Sequence, residues 1–231
     1  MSNHLVVAAD GTSDVHGDRT AIARITDALR QAGINTIYEQ GLGTRRFEKI
    51  SGTLWAAGFN EKVRRLTLAV LNERFDHLTI LGFSRGGAEA LAIANNLATH
   101  GVLCNFVGLF DPVATTLPRI PLRWLRQPPG VTYSALAMFE SRREYWPIVW
   151  RTGLADSRLT QRWAKGWHGD IGGRYAGEAL DWMISRPDFP VPELEVEPPQ
   201  TRRHLPRSRF LLPRKRRYSL FHTLAFEEGL D

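Results

Sequence analysis

The stretch Leu78-Thr79-Ile80-Leu81-Gly82-Phe83-Ser84-Arg85-Gly86-Gly87 decides the fold. Its first half is mostly apolar, which predicts a buried strand, and the alanine-rich residues 85–99 that follow predict a helix. Gly82, Ser84 and Gly86 satisfy the pattern G-x-S-x-G, which places a serine on a tight turn between a strand and a helix. The glycines are required because the helix then passes close to the strand. Ser84 is therefore a candidate nucleophile; the alternative is an ordinary turn in which Ser84 only caps the helix.

Strands and helices alternate along much of the rest of the chain. Apolar runs predict strands at 5–9, 34–38, 78–83, 103–110 and 162–167, and helical spacing predicts helices at 20–31, 59–74, 85–99 and 176–185. This order is typical of an α/β fold with a doubly wound, mostly parallel sheet. In such sheets ligands bind beyond the carboxyl ends of the strands. Asp10, Ser84 and Asp111 follow three of those ends, so we expect the functional site there.

A serine hydroxyl is a weak nucleophile and needs a base, usually a histidine. Of the seven histidines, His168 stands apart because it lies in the glycine-rich run 166–173, between a predicted strand and a predicted helix. Flanking glycines leave room for a substrate and let an imidazole reach the serine. His168 is the candidate base, and the alternative is a histidine with a purely structural role in a glycine turn.

The acid that orients the imidazole comes between the serine and the histidine in chain order when the serine lies on such a turn. Asp111 ends the strand after Ser84 and meets this requirement, although an aspartate before Pro112 could also be a turn residue. Asp170 is the second candidate, but its position two residues after His168 favours a role in shaping the loop. The acid would hold the imidazole tautomer and stabilise the imidazolium.

Attack on a carbonyl also creates an oxyanion, which backbone amides can stabilise. The amide of Arg85, directly after the nucleophile, is the first candidate donor. The second donor is expected from the loop after an earlier strand, where the amides of Gly11 and Thr12 are candidates. Asp10 could take part there or could instead cap the turn, and the sequence leaves both roles open.

The net charge of +6 comes from one segment. Residues 201–217 hold eight of the 30 Arg and Lys and no acid, which leaves 22 basic against 24 acidic residues elsewhere, a net charge of −2. This segment lies in a proline-rich tail, 187–231, and we expect residues 1–186 to form the catalytic domain. The tail could dock on an anionic membrane surface, or it could be solvated or packed on the domain. A second proline-rich segment, 117–130, is expected to leave the sheet close to the site.

Composition excludes several classes of protein. The 231 residues, 43% of them hydrophobic, fit one large globular domain. The single cysteine, Cys104, excludes an intramolecular disulfide and zinc clusters built on cysteine, and its apolar surroundings predict a buried, inert thiol. Neither a signal peptide nor a membrane-spanning stretch is recognisable. We therefore expect a chain that is cytoplasmic as synthesised, with delivery by a signal-less secretion system as the route if it is exported. No metal or other cofactor is expected.

Several short motifs, in order across most of residues 5–185, resemble the α/β-hydrolase domain of the type VI secretion phospholipase effectors. The motifs are Ala9-Asp10-Gly11-Thr12, Tyr38-Glu39-Gln40-Gly41-Leu42-Gly43-Thr44, Gly82-Phe83-Ser84-Arg85-Gly86-Gly87, Gly108-Leu109-Phe110-Asp111-Pro112-Val113, Ala135-Leu136-Ala137 with Glu140-Ser141-Arg142-Arg143, Gly166-Trp167-His168-Gly169-Asp170-Ile171-Gly172-Gly173 and Leu180-Asp181-Trp182-Met183.

The resemblance implies a Ser-Asp-His hydrolase, with Ser84, Asp111 and His168 at the catalytic positions of the family. It also implies an ester or phospholipid substrate, phospholipase A-type activity, no metal requirement, and an immunity or secretion partner protein. The chain departs from the family pattern at Pro112, where the family usually has threonine, and at Arg174, where it usually has a third glycine. Effectors of this kind are also commonly much longer, with extra modules that engage membranes.

Two functions fit the sequence. The first is a serine esterase of the phospholipase A or lipase type that works through an acyl-enzyme. The second is a catalytically silent hydrolase scaffold whose basic tail binds nucleic acid or an acidic partner. Few aromatic residues are interleaved with the basic residues of the tail, and the rest of the chain is mildly acidic. Nucleic acid is therefore the less favoured partner.

Overall fold

In the computed structural model, six parallel strands form one sheet with helices on both of its faces. The structure describes residues 3–11, 19–41, 52–114, 122–150 and 157–200. The strands in these residues are β1 (His4–Ala9), β2 (Asn35–Glu39), β3 (His77–Phe83), β4 (Phe106–Phe110), β5 (Val131–Ala137) and β6 (Leu159–Ala164). The helices are α1 (Ala21–Gln31), α2 (Gly52–Leu71), α3 (Arg85–Thr99), α4 (His168–Ile171) and α5 (Glu178–Ile184), with 3₁₀ turns at Leu122–Leu125 and Arg143–Tyr145.

The strand order is β2-β1-β3-β4-β5-β6, and every neighbouring pair is parallel. The predicted doubly wound α/β fold is therefore confirmed. Because the strands are parallel, the residues that follow β1, β3 and β4 reach the same edge of the sheet, and β1 and β4 flank β3 on either side. This order brings the segments after Ala9, Phe83 and Phe110 next to one another.

The central strands are buried on both faces, which is why their sequences are almost continuously apolar. Successive side chains of a strand point to opposite faces. Leu5 and Val7 of β1 accordingly share one core with Phe59 of α2, and the alternate residue Val6 shares the other core with Ile22 of α1. Two hydrophobic cores, one on each face of the sheet, therefore hold the helices in place.

Several elements differ from the sequence prediction. The helix predicted at 59–74 is α2, which begins seven residues earlier, and the strand predicted at 103–110 is β4, which begins three residues later. The sequence did not predict β5, because its core positions alternate with the polar Thr132 and Ser134, which are nonetheless fully buried. The strand expected at 162–167 is β6, which lies three residues earlier. The residues after it form the short helix α4 where an open glycine loop was expected. The predicted helix over 85–99 coincides with α3.

The proline-rich segment 117–130 and the start of the tail 187–231 pack on the domain in the parts that the structure describes. Leu125, in the proline-rich segment, is buried, and its carbonyl accepts a hydrogen bond from Trp150 Nε1 at 3.1 Å. Phe189 and Leu194, from the start of the proposed tail, are buried in the same core as α5. The basic residues 201–217 lie outside the described residues.

Two expectations about individual segments can be compared with the structure. Cys104 is buried, as predicted, and burial raises the pKa of its thiol to about 12. Among the described helices, none combines the length and the apolar character needed to cross a membrane.

Candidate active site

Ser84 lies on a strained turn between β3 and α3. Its backbone has φ 56° and ψ −124°, a combination that side-chain-bearing residues rarely adopt and that costs roughly 1–3 kcal/mol. The helix leaves this turn in close contact with the sheet. A β carbon added to Gly86 would overlap the carbonyl of Ala9 in β1, and one added to Gly82 would overlap Gly86 itself. The two glycines of the motif are therefore required by packing around the serine.

The side chain of Ser84 does not cap α3. It makes no capping hydrogen bond, and its Oγ lies 2.8 Å from Nε2 of His168. On the other side of the imidazole, Nδ1 lies 2.7 Å from Oδ2 of Asp111. A carboxylate only accepts hydrogen bonds, so Nδ1 donates to Asp111 and Nε2 is left to accept from the serine hydroxyl. The three residues singled out in the sequence thus form one hydrogen-bonded chain.

Asp111 is completely buried at the end of β4. Its Oδ1 accepts a hydrogen bond of 2.8 Å from the amide of Ala137, the last residue of β5, and its Oδ2 faces His168. Asp111 also has a positive φ of 41°. Of the described non-glycine residues only three have a positive φ, and two of them are Ser84 and Asp111. Such conformations cluster at functional sites, where the surrounding fold holds them in place.

His168 is the first residue of α4, and its side chain is buried between two aromatic rings. The Phe83 ring stacks on the imidazole with centroids 4.8 Å apart, and the Tyr145 ring approaches at 4.7 Å with a tilt of 48°. Gly172 allows this arrangement, because a side chain there would overlap the Phe83 ring. Neither aromatic residue was predicted from the sequence as part of the site, although Phe83 directly precedes the serine.

The candidate oxyanion donors, which are backbone amides, differ in their positions relative to Ser84. Arg85 begins α3 directly after Ser84, so its amide lies at the N-terminus of that helix beside the serine. Gly11 also lies against the candidate nucleophile Ser84, since a β carbon on it would be 2.9 Å from the Ser84 Cβ. However, the Gly11 amide donates to Oδ1 of Asp10 at 2.8 Å, so binding an oxyanion would require this bond to break. Thr12 lies outside the described residues.

The two secondary candidates have other partners. Asp10 is buried and accepts hydrogen bonds from Thr20 Oγ1 at 2.5 Å and from Tyr38 Oη at 2.9 Å, which ties the end of β1 to α1 and β2. Burial raises the pKa of the Asp10 carboxyl, although these hydrogen bonds oppose the rise. Asp170 accepts from the Trp167 amide at 2.9 Å within the loop that carries His168. Asp10 thus links three elements of the fold, whereas the Asp170 contact shapes its own loop.

A second carboxylate lies behind the histidine. Glu140 is fully buried, and its Oε2 accepts from the backbone amide of His168 at 3.3 Å. Arg142 pairs with it through Nε at 2.9 Å and Nη2 at 2.8 Å. Burial alone would raise the pKa of Glu140, but hydrogen bonds from Arg142 and His168 outweigh it and lower the pKa to about 2. The sequence analysis did not single out Glu140 as a site residue, although the motif that contains it was part of the family resemblance.

Buried charges also lie beneath the serine turn. Lys62 of α2 and Glu89 of α3 form an ion pair of 2.7 Å in which both side chains are 2% exposed, and Arg85 Nε lies 3.5 Å from the same carboxylate. Burial raises the pKa of Glu89, and the Lys62 charge opposes that rise. Within the described parts of the chain, no group of three or more His, Cys, Asp or Glu is arranged to hold a metal ion.

Residues 3–106 match the family described as T6SS, phospholipase effector Tle1-like, catalytic domain, and the predicted resemblance is thereby confirmed over that part of the chain. No curated protein matches the sequence.

Solved structures extend the likeness to most of the fold. The chain is similar to Est1E from Butyrivibrio proteoclasticus, with a TM-score of 0.50 and 10% identity over 78% of this chain and 84% of that one. It is also similar to a structure from work on LipS and LipT, two metagenome-derived lipolytic enzymes (TM-score 0.47, 13% identity, 74% and 87% covered). A third is described as a hydrolase of the α/β superfamily from Xanthomonas campestris pv. campestris (TM-score 0.46, 12% identity, 78% and 93% covered). The fold is that of the α/β hydrolases, and the family match supports a hydrolase of ester substrates.

Proposed function

We propose that this chain, which has an α/β-hydrolase fold and matches the Tle1-like catalytic domain over residues 3–106, is a serine hydrolase that cleaves carboxylic esters. The observation that carries the proposal is the hydrogen-bonded chain from Ser84 through His168 to Asp111, with distances of 2.8 and 2.7 Å. A serine, a histidine and a buried carboxylate in this order are the parts that nucleophilic attack on an acyl group needs.

In the proposed mechanism, Ser84 Oγ attacks the carbonyl carbon of the ester while its proton passes to Nε2 of His168. Asp111 accepts the Nδ1 hydrogen bond and stabilises the imidazolium that forms. The amide of Arg85 donates to the developing oxyanion. His168 then protonates the departing alcohol, which leaves an acyl group on Ser84. Water attacks this acyl-enzyme with His168 again as the base, releasing the acid and restoring the serine.

A phospholipid is the substrate class we favour within this reaction type. The matched family is described as a phospholipase effector, and one similar structure comes from lipolytic enzymes. A phospholipase A-type cleavage uses the same chemistry, because the fatty acyl chains of a phospholipid are carboxylic esters. In this proposal residues 201–217, with their eight basic side chains, dock on an anionic membrane surface at about 1 kcal/mol for each residue near that surface. Delivery by a signal-less secretion system and an immunity partner belong to the same proposal.

The test is labelling with a fluorophosphonate probe, which reacts only with an activated serine, followed by peptide mass spectrometry. We expect labelling at Ser84 in the wild type and none in Ser84→Ala or His168→Ala. His100→Ala is the matched control, because His100 is an exposed histidine at the end of α3 and should label like the wild type. A folded wild type that resists labelling would overturn the proposal and favour a silent scaffold that binds a partner through its basic tail.

The substrate class needs a separate test. Hydrolysis of short-chain esters, hydrolysis of phospholipid vesicles and binding to those vesicles are compared with and without residues 201–217. We expect the truncated chain to keep its activity on soluble esters and to lose activity on anionic vesicles. Equal vesicle binding by both chains would remove the docking role of the tail and leave the esterase proposal intact.

A further inference from the structure

The main-chain position of His168 is set by a buried carboxylate. Glu140, three residues after β5, has a side chain that is 1% exposed and accepts the His168 amide at 3.3 Å. This contact acts on the backbone of the histidine, whereas Asp111 and Ser84 act on its ring. A shift of Glu140 would therefore move the whole imidazole relative to the serine hydroxyl.

Arg142 links the same carboxylate to the ring of the histidine. Its guanidinium pairs with Glu140 through two nitrogens and lies 4.1 Å above the centre of the Tyr145 ring. The Tyr145 ring in turn packs on the imidazole of His168 at 4.7 Å. The pair thus contacts His168 at its backbone amide directly and at its ring through Tyr145.

We propose that Glu140 and Arg142 are positioning residues that hold His168 in register with Ser84 and keep the local charge balanced. The inference rests on the proposed serine hydrolase function. A bidentate pair fixes both partners in one geometry, which is more specific than a single contact. Because the two charges are opposite and adjacent, the intact pair adds little net field at the imidazole, and loss of either member leaves the other uncompensated.

The sign of the uncompensated charge depends on whether Arg142 or Glu140 is removed. Without Arg142 a buried negative charge remains near His168, which favours the protonated imidazole; without Glu140 a positive charge remains, which disfavours it. Among the described residues, the other titratable groups near His168 include Asp111 at the end of β4, Asp170 on α4 and Tyr145, and they are the same in both variants. Opposite shifts therefore identify this pair.

The experiment measures the second-order rate of fluorophosphonate labelling at Ser84 as a function of pH. The variants are Glu140→Gln, Arg142→Met and Arg142→Lys, and Arg143→Met is the matched control. Arg143 is the next residue and loses the same charge, but it lies over Trp146 and not over Tyr145. Circular dichroism and urea unfolding confirm that each protein is folded at the temperature of the assay.

We expect Arg142→Met and Glu140→Gln to label roughly ten to a hundred times more slowly than the wild type, because the imidazole is misplaced. Arg142→Lys should recover part of the rate, and Arg143→Met should match the wild type. The acid limb of the profile, which reports protonation of the base, should move to higher pH in Arg142→Met. It should move to lower pH, by less, in Glu140→Gln, because the Arg142 side chain is 52% exposed and solvent screens its charge.

Three results would overturn the inference. Wild-type rates with unchanged acid limbs in both variants would show that the pair does not position His168. Slower labelling with acid limbs that stay in place would show a role in the fold alone. Absence of labelling in the folded wild type would overturn the proposed function itself, and this inference with it. The wild-type control therefore separates the two failures.

Discussion

The amide of Ala137 and the carboxylate of Asp111 share a hydrogen bond of 2.8 Å, which leaves the second carboxylate oxygen of Asp111 directed at His168. One oxygen thus anchors the side chain to the end of β5, and the other orients the imidazole. The acid of the site is fixed by a strand that contributes neither the nucleophile nor the base. Substitutions at Asp111 can separate these two tasks.

Asp111→Asn should fold and be inactive. The amide oxygen of asparagine can still accept from Ala137, but its nitrogen presents a donor to His168 Nδ1 and so favours the tautomer with its proton on Nε2. Nε2 of His168 can then no longer accept the serine proton, and we expect the labelling rate at Ser84 to fall by a factor on the order of 10⁴.

Asp111→Ala is the companion variant to this test. It should be equally inactive but less stable than Asp111→Asn by roughly 1–3 kcal/mol, because the buried Ala137 amide loses its acceptor. Labelling rates and urea unfolding curves of the two proteins give both quantities. Substantial labelling of Asp111→Asn would contradict the assigned tautomer.

The positive φ of Ser84 predicts an unusual order of stabilities. Ser84→Ala keeps the β carbon and the strain of the turn, whereas Ser84→Gly removes the strain at the cost of a more flexible unfolded chain. The greater flexibility of the unfolded glycine chain costs about 0.4–1 kcal/mol, and the relief of backbone strain is larger. Ser84→Gly should therefore be the more stable protein by roughly 1 kcal/mol. Urea unfolding midpoints measure the difference.

Ser185 provides the control for this comparison, because its φ of −79° is ordinary. There the order should reverse or vanish, since glycine relieves no strain. If Ser84→Gly were the less stable of its pair, the turn would not be storing strain.

The sequence predicted which residues the fold brings together at the candidate site, because chain order and strand ends are properties of the pattern itself. Ser84, Asp111 and His168 each follow or precede a recognisable element, and the parallel order brings them together. β5 could not be predicted, because Thr132 and Ser134 interrupt its apolar pattern and their burial depends on the neighbouring strands.

Contacts that depend on side-chain conformation also could not be predicted from the sequence. The bond from the Gly11 amide to Asp10 depends on the rotamer of Asp10, and the pairing of Glu140 with Arg142 depends on how the chain turns after β5. Neither position carries a periodic signal that would reveal its partner.

Gly86 provides a further test of the packing around the serine turn. A methyl group at this position would overlap the backbone of β1 at Ala9, and a backbone atom cannot move aside as the end of a flexible side chain can. We expect Gly86→Ala to lose at least about 1–3 kcal/mol of unfolding free energy. Gly169→Ala is the matched control, since a β carbon there meets nothing within 4 Å. A control as damaged as Gly86→Ala would show that loss of glycine flexibility, and not overlap, sets the effect.

The buried pair of Lys62 and Glu89 predicts a pH-dependent loss of stability. Lys62→Met leaves the Glu89 carboxylate without its 2.7 Å partner, so breaking the pair should cost about 3–5 kcal/mol of unfolding free energy at pH 8. Burial already raises the pKa of Glu89, and removal of the lysine raises it further. The folded variant therefore binds a proton more tightly than the unfolded chain does. The stability that Glu89 contributes by binding this proton is fully present below its ordinary pKa of 4.5 and is lost as the pH rises through the folded-state pKa.

The deficit of Lys62→Met relative to the wild type should accordingly be smaller at pH 5 than at pH 8 in urea unfolding. The double variant Lys62→Met with Glu89→Gln lacks the Glu89 carboxyl, so its deficit should change less between the two pH values than that of Lys62→Met. The remaining change comes from Asp10, because the Lys62 charge also lowers the pKa of that buried carboxyl. Arg64→Met removes a basic residue from the exposed pair with Glu61 on the same helix and should change little. If the Lys62→Met deficit were equal at pH 5 and pH 8, Glu89 would not be the group that loses its partner. The destabilisation would then have to come from the packing of the lysine stem or from the lost hydrogen bond of Lys62 Nζ to the Gln40 carbonyl at 3.1 Å.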